Sequence, residues 1–397
     1  MNIVFASNWF NHHEKFFCDA IASQPSVAFH FIQTERIPEE RIQLGYQDMT
    51  KATPYCICSY ESDDAYRKAM EICNNADALI LGSAPYEFIA ERVKENKLTF
   101  FYAERLFRNG LWHMLYPPTF FTVLKRFIIP GNKSNFYVLC ASGYTALDCH
   151  KIHAFRGKYF KWGHFIEVNK YDSVDTLLES KRLKHPQSIS ILWVGRLIGL
   201  KHPDQAIYVA EKLKQQGFSF KLDIIGNGDL EEDLKQEVNE KGLAGTVHFL
   251  GAMSPQEVRS YMMAADIYLF TSDFNEGWGA VLGEAMASGC AVVTSHAIGA
   301  TPFLAIHNEN ALVYENGNEE SLFRNVMRLI DSEELRMRLS RNAIETMQNL
   351  WNANVGANRL YNVIKALRAG TDIPEYENGP MSEAALLKNS WFKDDTI

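Results

Sequence analysis

The sequence lacks several patterns that mark particular chemistries. It has no Asp-x-Asp pair to hold a metal-bound diphosphate and no HExxH motif to hold zinc, and its seven cysteines include no CxxC pair. Seven is an odd number and the spacings are irregular, so free thiols are a simpler interpretation than a disulfide framework. No window reaches the roughly 18 apolar residues of a membrane-spanning helix. We therefore expect no bound metal and no transmembrane segment.

Charge and composition exclude further classes. The net charge of -8 argues against general nucleic-acid binding, and a hydrophobic content of 47% with 22% charged residues is typical of a folded globular protein. The first residues, Met1–Ala6, have the pattern of a β-strand and no basic region of a secretory signal. We therefore expect a cytoplasmic protein without a nucleic-acid partner.

Length and periodicity predict two α/β domains. A chain of 397 residues exceeds one ordinary core, and β-prone runs alternate with helical patterns from Asn2 onwards and again from Ser188. We expect doubly wound, Rossmann-like domains over 1–168 and 188–350, joined by a polar linker over 169–187, with a helix in part of the linker as an open alternative. A long helical pattern over 333–367 follows, and a mixed polar tail over 370–397 closes the chain.

A basic, aromatic segment interrupts the first alternating series. Residues 92–161 contain twelve Lys or Arg and three acids, a net charge of +9 in an acidic protein, and large apolar residues are interleaved with Lys125 and Arg126. One interpretation is that residues 105–130 form a peripheral contact with anionic lipid or with a lipid-linked diphosphate. The other is an ordinary core helix with a solvated basic face.

Two glycine-bearing turns follow strands of the second series. After the first, Gly195 allows a tight turn, Arg196 offers a guanidinium fork for a phosphate, and Lys201 offers a point charge. After the second, the run Gly226-Asn227-Gly228 allows a close backbone approach to a nucleotide, although the full GxGxxG pattern is missing. Surface cations beside a turn and a plain βα turn are the alternatives.

The stretch Asp273–Gly289 predicts a strand, tight turn, helix and strand, with Glu276 and Glu284 eight positions apart. Carboxylates bind vicinal hydroxyls of sugars, and the glycines at 277 and 279 expose N–H groups where negative charge is favoured. The alternative is that Glu276 caps the helix and Glu284 lies on the surface. Against this, Glu284 stands in an apolar run, where an unpaired carboxylate is costly.

Taken together, these elements resemble the retaining glycosyltransferases of family 4 (glycosyl transferases group 1), which have the GT-B architecture of two doubly wound domains facing across a cleft. The resemblance covers about residues 189–315. The residues that carry it are Val194-Gly195-Arg196-Leu197, Lys201, Ile225–Gly228, Phe249–Gly251, Ala265–Ile267, Glu276–Gly279 and Glu284–Gly289.

The resemblance implies a donor site for a nucleotide diphosphate sugar. Glu276 would contact the transferred sugar, Glu284 the ribose, and Arg196 and Lys201 the diphosphate. The other implied donor contacts are Gly195, Gly226, Asn227, Gly228, Gly277, Trp278, Gly279 and Ala280. The sequence departs from the family where a Gly-Gly-Glu element is common, because it has Gly299-Ala300-Thr301 there.

The N-terminal half looks like a subset of the family associated with cell-surface polysaccharide assembly, through Phe101–Arg108, Val138–Ser142 and Lys161–Phe165. Many relatives have a histidine at the end of the strand that corresponds to Leu98–Tyr102, and Glu104 lies near that place. Residues 11–13, with two histidines, fall in the predicted first βα loop. Of the acceptor-side groups, His13 and Glu104 are the candidates.

The expected function is therefore retaining transfer of a sugar to a glycan or lipid-linked acceptor hydroxyl, without a cofactor or metal, at the inner face of the cell membrane. A C-terminal helix over 351–369 would cross back to the N-terminal domain. Three alternatives remain open at this point: a GT-B sugar-nucleotide epimerase, an NAD-dependent oxidoreductase, and a non-catalytic partner subunit that keeps the fold.

Overall fold

A computed structural model describes residues 1–39, 42, 48–108, 110–168, 171, 173–184 and 188–394. The chain divides into two compact units. The first comprises Met1–Ile166 and Trp351–Lys388, and the second comprises Glu167–Leu350 and Asn389–Ile397. Part of the predicted linker, residues 169, 170, 172 and 185–187, lies outside the described residues.

The first unit is built on a parallel sheet of seven described strands, in the order β3-β2-β1-β4-β5-β6-β7. The strands are apolar and β-branched or aromatic, as expected for a sheet buried on both faces. They are β1 (Asn2–Ser7), β2 (Ala28–Gln33), β3 (Cys56–Cys58), β4 (Ala78–Leu81), β5 (Thr99–Ala103), β6 (Phe136–Cys140) and β7 (Tyr159–Lys161).

Side-chain caps begin several helices of this unit. Asn11 accepts from the backbone N–H of His13, and Ser62 accepts from that of Ala65. The helices are His12–Ala22, Asp63–Asn75, Glu87–Glu95, Pro117–Val123, Thr145–Lys151 and Ala353–Ala369, with shorter helical turns at Thr50–Ala52, Leu111–Leu115, Leu124–Ile128 and Ile129–Gly131.

The second unit has a parallel sheet of six described strands in the order β10-β9-β8-β11-β12-β13. They are β8 (Ile189–Val194), β9 (Phe220–Ile225), β10 (Val247–Phe249), β11 (Ile267–Phe270), β12 (Ala291–Ser295) and β13 (Leu312–Tyr314). The helices are Val174–Lys184, Pro203–Gln215, Glu231–Glu240, Pro255–Ala264, Ala280–Ala287, Thr301–Leu304, Glu319–Asp331 and Glu333–Asn349, with a turn at Gly199–Lys201.

The prediction of two doubly wound parallel α/β domains is confirmed. In each sheet the chain winds outwards in one direction and then in the other, so that β1 and β4 are neighbours in the first sheet and β8 and β11 in the second. Such a reversal opens a crevice at the carboxyl ends of the two central strands, where ligands of these folds bind. Both units therefore have a topologically favoured binding place.

The C-terminal helical pattern over 333–367 is two helices rather than one. Glu333–Asn349 ends at Leu350, which has a non-helical backbone, and Asn352 then caps Ala353–Ala369 by accepting from the N–H of Val355. The first helix lies in the second unit and the second helix in the first. A capping residue within a continuous apolar period is the signal for this break.

The predicted linker range contains the helix Val174–Lys184, which packs into the second unit through Leu178 and Lys181. The side chain of Lys181 is 4% exposed, and its ammonium donates to the carbonyls of Met262, Ala265 and Gly289 at 3.1, 2.8 and 2.6 Å. The polar composition of this range predicted a linker here. The lysine is a buried hydrogen-bond donor that satisfies backbone carbonyls near the ends of neighbouring helices and strands.

Replacing Lys181 by Met should therefore destabilise the second unit. Met keeps the length of the side chain but leaves three buried carbonyls without their donor, and we expect a loss of about 2–4 kcal/mol in the free energy of unfolding. Chemical denaturation measures this change. The control Lys235→Met removes an exposed lysine from surface ion pairs and should leave the free energy of unfolding nearly unchanged. Equal stability of both variants would contradict the role of Lys181.

Candidate functional site

The second unit collects the predicted donor residues at the carboxyl ends of β8 and β11. Gly195 and Arg196 follow β8 directly, and the loop from Thr271 to Gly279 connects β11 to the helix Ala280–Ala287. Two hydrogen bonds join the loops that follow these strands. The hydroxyl of Thr271 donates to the carbonyl of Lys201 at 2.7 Å, and the N–H of Asp273 donates to that of Leu200 at 3.0 Å.

Lys201 and Glu276 form an ion pair, although 75 residues separate them in the chain. Their side chains are only 15% and 12% exposed, so solvent screens the pair weakly. The lysine ammonium also lies 5.7 Å from the centre of the Phe270 ring. The structure thus brings together the residue predicted for the diphosphate and the residue predicted for the sugar, and fixes the position of both charges.

Arg196 differs from Lys201 in its surroundings. Its side chain is exposed, and no carboxylate of the described residues lies within ion-pair distance of it. Because a guanidinium presents several donors in one plane, Arg196 is available to bind an anion at the end of β8, five positions before Lys201. It contributes little to packing, so its replacement should leave the fold intact.

The run Gly226-Asn227-Gly228 is glycine-rich because it passes close to the backbone of a neighbouring loop. A Cβ on Gly226 would lie 1.9 Å from the carbonyl oxygen of Gly195, and one on Gly228 would lie 2.4 Å from that of Leu197. The N–H of Leu197 donates to the carbonyl of Asn227 at 2.8 Å. These glycines therefore allow two strand-end loops to pack against each other. Their contact with a nucleotide stays a prediction.

Gly279 precedes the helix Ala280–Ala287 with a φ of +80°, and no side chain caps this helix end. A Cβ on Gly279 would lie 2.8 Å from the Phe270 ring. Backbone bonds fix the preceding residues, because Gly277 and Trp278 accept from the N–H groups of the loop at 299–300. The Trp278 side chain is buried, so it belongs to the core, while the uncapped N–H groups remain suited to an anion.

Glu284 lies one turn into that helix and is half-buried. Burial raises the pKa of its carboxyl group, and the nearby Arg259 lowers it in part. Arg259 itself donates to the backbone carbonyl of Glu284 at 3.1 Å, and no ion pair joins the Glu284 carboxylate to another described side chain. Burial raises the pKa of the Tyr268 hydroxyl, and the negative charges of Glu284 and Glu276 raise it further.

Thr301, which lies where the sequence departs from the family that it resembles, and Asn310 have structural roles. Thr301 begins a short helix, and its hydroxyl donates to the carbonyl of Ser295 at 3.0 Å. Asn310 accepts from the N–H of Ile306, and its amide donates to Leu304 and Thr346. The side chains of Thr301 and Asn310 are both buried.

In the first unit, Glu104 lies in a chain of polar contacts. It pairs with Arg108 at 2.7 Å and faces His164 at 3.5 Å, and the other ring nitrogen of His164 lies 2.9 Å from the Tyr102 hydroxyl. His13 is in the first turn of a helix rather than in a loop, with its ring 5.5 Å from that of His164. Burial lowers the pKa of His13 well below its usual value, so its imidazole is neutral at pH 7.

Two charged residues that line a cavity in this unit, Glu14 and Arg126, were not predicted to share a site. Sequence reasoning did not single out Glu14, and it noted Arg126 only as a cation of the basic segment. The cavity has a volume of 420 Å³ and is also lined by Ser7, Gly82 and His164. The signal available in the sequence was position: residues 7 and 82 follow β1 and β4, the neighbours at the reversal of the first sheet. Nothing in the sequence marks Arg126 as closer to this point than the other cations of its segment.

The basic, aromatic segment is not a core helix. Seven of the twelve large apolar side chains exposed in the described chain lie between residues 111 and 129, with exposures from 37% to 86%. We call this set the aromatic ridge; its members are Leu111, Trp112, Leu115, Tyr116, Phe120, Phe121 and Ile129. Such a concentration of exposed apolar groups marks an interaction surface.

Two features are absent from the described ranges. No helix there is long and apolar enough to cross a membrane. No group of three or more His, Cys, Asp or Glu side chains in those ranges is arranged to hold a metal ion.

Comparison with known families and proteins agrees with the resemblance seen in the sequence. The family described as glycosyl transferases group 1 matches residues 175–346. The amylovoran biosynthesis glycosyltransferase AmsK of Erwinia amylovora is 36% identical over 152 residues, 37% of each chain. An N-acetylgalactosaminyltransferase of Campylobacter jejuni, named for a diphospho-undecaprenol-linked substrate, is 34% identical over 147 residues, 37% of this chain and 38% of the relative. The matched region thus spans well under half of both relatives.

Solved structures extend the similarity over both units. Alr3699/HepE of Anabaena, in complex with UDP, superposes with a TM-score of 0.64 over 93% of this chain and 100% of its own, at 16% identity. The sucrose-phosphate synthase of Thermosynechococcus elongatus has the same TM-score over 94% and 100%, also at 16% identity. At this level of identity the likeness establishes the fold.

Proposed function

We propose that the chain is a retaining glycosyltransferase of the glycosyl transferases group 1, the family that matches residues 175–346. It moves a sugar from a nucleotide diphosphate sugar to an acceptor hydroxyl. The observation that carries the proposal is the Lys201–Glu276 pair beside the unpaired Arg196, at the reversal of the second sheet. These are the charges that a sugar diphosphate needs at its binding place.

The reaction develops negative charge on the leaving diphosphate as the bond to the sugar breaks. Arg196, Lys201 and the uncapped N-terminus of the helix Ala280–Ala287 stabilise that charge, and fixed charges of this kind usually make the largest contribution to catalysis. Glu276 orients the transferred sugar, and Glu284 accepts from the ribose hydroxyls. The remaining donor contacts are those predicted at 195, 226–228 and 277–280. We propose that no metal or cofactor takes part.

The acceptor is proposed to be a glycan or lipid-linked sugar in the assembly of a cell-surface polysaccharide. The names of the two relatives support this, since one refers to amylovoran biosynthesis and the other to a diphospho-undecaprenol-linked substrate. His13 and Glu104 are the proposed acceptor-side groups. The neutral imidazole of His13 is in the state that takes up a proton, whereas Glu104 is already engaged with Arg108.

Replacing Arg196 by Ala should lower kcat by about 100-fold or more, because one donor to the developing diphosphate charge is lost. The assay measures release of nucleoside diphosphate from UDP-, GDP- and ADP-sugars with a membrane lipid extract as acceptor. It is run with and without EDTA, and EDTA should leave the rate unchanged. The product is examined by NMR for retention at the anomeric carbon.

The control Arg324→Ala removes another exposed arginine, on the helix Glu319–Asp331, and should keep the wild-type rate. Wild-type turnover in the Arg196→Ala variant would contradict the assignment of Arg196. Conversion of a nucleotide sugar without release of diphosphate would replace transfer by epimerisation.

We further propose that the aromatic ridge attaches the protein to anionic lipid at the cytoplasmic leaflet. The ridge supplies exposed apolar side chains, and residues 92–161 around it carry a net charge of +9 in a protein of net charge -8. Apolar insertion and attraction to acidic headgroups together give reversible membrane binding. The rest of the chain is acidic, so the protein as a whole is not attracted to an anionic surface. The attraction to acidic lipid therefore comes from this segment.

Changing Trp112, Leu115 and Phe121 together to Ser should weaken binding to vesicles that contain phosphatidylserine by at least tenfold. Each substitution removes apolar side-chain surface that would insert into the membrane. Sedimentation with vesicles at low and high salt measures this. A matched control changes Leu183, Ile306 and Leu386, which are exposed elsewhere, and should bind as the wild type does. If both triple variants bind alike, the ridge is not the membrane contact.

A further inference from the structure

The cavity of the first unit lies where the fold of that unit favours a ligand. Ser7 ends β1, and Gly82 and Ser83 follow β4, so the reversal of the first sheet forms one of its walls. Its 420 Å³ lies within the range of small-molecule sites and accommodates a sugar with a substituent.

Glu14 presents an unsatisfied acceptor to this cavity. It stands in the first turn of the helix His12–Ala22 and lines the cavity, and its Oε2 is buried without a hydrogen-bond partner among the described residues. Burial raises the pKa of this carboxyl group to about 7, while His164 and the backbone N–H groups of Glu14 and Asn11 lower it in part. The backbone N–H groups at the start of the helix therefore stabilise this carboxylate in part, and Oε2 remains available to accept from a ligand hydroxyl.

Arg126 presents an unneutralised positive charge to the same cavity. Its Nη2 donates to the carbonyls of Gly82 and Ala84 at 3.4 and 3.1 Å, and no described carboxylate lies within ion-pair distance. Arg105 also lines the cavity but is committed elsewhere, 3.7 Å from Asp148. Neutral carbonyls orient the guanidinium of Arg126 without cancelling its charge, which suits it to a phosphate.

The position of Arg126 favours a phosphate attached to a lipid. Arg126 belongs to the turn Leu124–Ile128, which continues directly from the helix Pro117–Val123, and that helix carries Phe120 and Phe121 of the aromatic ridge. A single helical segment thus has apolar groups for a membrane on its exposed side and an arginine in the cavity. In a lipid-linked sugar, the phosphate lies between the lipid in the membrane and the sugar in water. Arg126 has the corresponding position, between the exposed apolar groups and the cavity.

We propose that the cavity is the acceptor site and binds a sugar that carries a phosphate, with Glu14 accepting from the sugar hydroxyls and Arg126 binding the phosphate. This deepens the proposed function and rests on it, since it names the chemical class of the acceptor and two residues for it. Neither Glu14 nor Arg126 is among the donor-side groups.

The charge state of Glu14 makes binding depend on pH. A hydroxyl donates to the ionised carboxylate, so affinity should rise as the pH increases through about 7. The titratable and charged groups around Glu14 come from its own helix and from the segments that line the cavity. They are His12, His13 and Cys18, then Tyr102, Glu104 and Arg105, then Arg126 and His164.

The test measures binding to the full chain by calorimetry, without any donor. The probes are glucose 1-phosphate, galactose 1-phosphate and N-acetylglucosamine 1-phosphate, compared with the free sugars, glucuronate and inorganic phosphate. At least one sugar phosphate should bind tenfold more tightly than its free sugar and than inorganic phosphate. Its affinity should rise between pH 6 and 8.

Two variants assign the contacts. Arg126→Met should abolish the preference for the phosphorylated sugar. Glu14→Gln should weaken binding of the sugar phosphate about tenfold, leave binding of inorganic phosphate unchanged, and reduce the rise with pH to the part that ionisation of the phosphate itself causes. Gln preserves the side-chain shape and the helix start, and thermal unfolding verifies that the variant folds. The controls Arg67→Met and Glu87→Gln change a surface arginine and another first-turn glutamate, and should bind as the wild type does.

Unchanged affinity in both the Glu14→Gln and the Arg126→Met variants would overturn the proposal, as would tighter binding of glucuronate than of every sugar phosphate. Arg196→Ala should leave this binding intact, which separates the cavity from the donor residues. Failure of binding leaves the proposed transfer reaction standing, and failure of the Arg196 prediction leaves the cavity assignment standing.

Discussion

The reversal of strand order in two parallel sheets is the constraint on which the candidate sites depend. Parallel strands require crossover connections, and where the chain changes winding direction two neighbouring strands send their connections to opposite faces. In the first unit these strands are β1 and β4, and in the second β8 and β11. The side chains that follow these strands do not pack within the sheet, and they lie close together at its carboxyl edge. The charged groups discussed above lie at or near these two places.

Within the second unit, the Lys201–Glu276 pair sets the electrostatics of its site. A largely buried carboxylate is tolerated because the lysine neutralises it, and the lysine remains charged for the same reason. The pair alone has no net charge, so Arg196 supplies the excess positive charge near it. Under the proposed function, a donor diphosphate would compete with Glu276 for the lysine and would release Glu276 towards the sugar.

Sequence reasoning predicted the two α/β units and placed Arg196, Lys201 and Glu276 after predicted strands, because apolar period and strand-end glycines are local signals. The role of these residues towards a donor stays a prediction. It did not predict why Gly226 and Gly228 are glycines, since the partner carbonyls belong to the preceding strand-end loop. The buried role of Lys181 was hidden for the same reason, as its three acceptors lie 81 or more residues away. Polar composition indicates exposure only when no distant partner satisfies the group.

The presence of Glu14 and Arg126 in one cavity shows most clearly what could not be predicted from the sequence. The two residues are 112 positions apart, and each has a plain local interpretation, as a helix-start carboxylate and as one cation in a basic run. Only the cavity relates them, by leaving one carboxylate oxygen without a donor and one guanidinium without an anion. The two charges do not neutralise each other by direct contact, because no ion pair joins them among the described residues. A ligand that offers hydroxyls to one and phosphate to the other therefore satisfies both, and neither a free sugar nor a free phosphate does so.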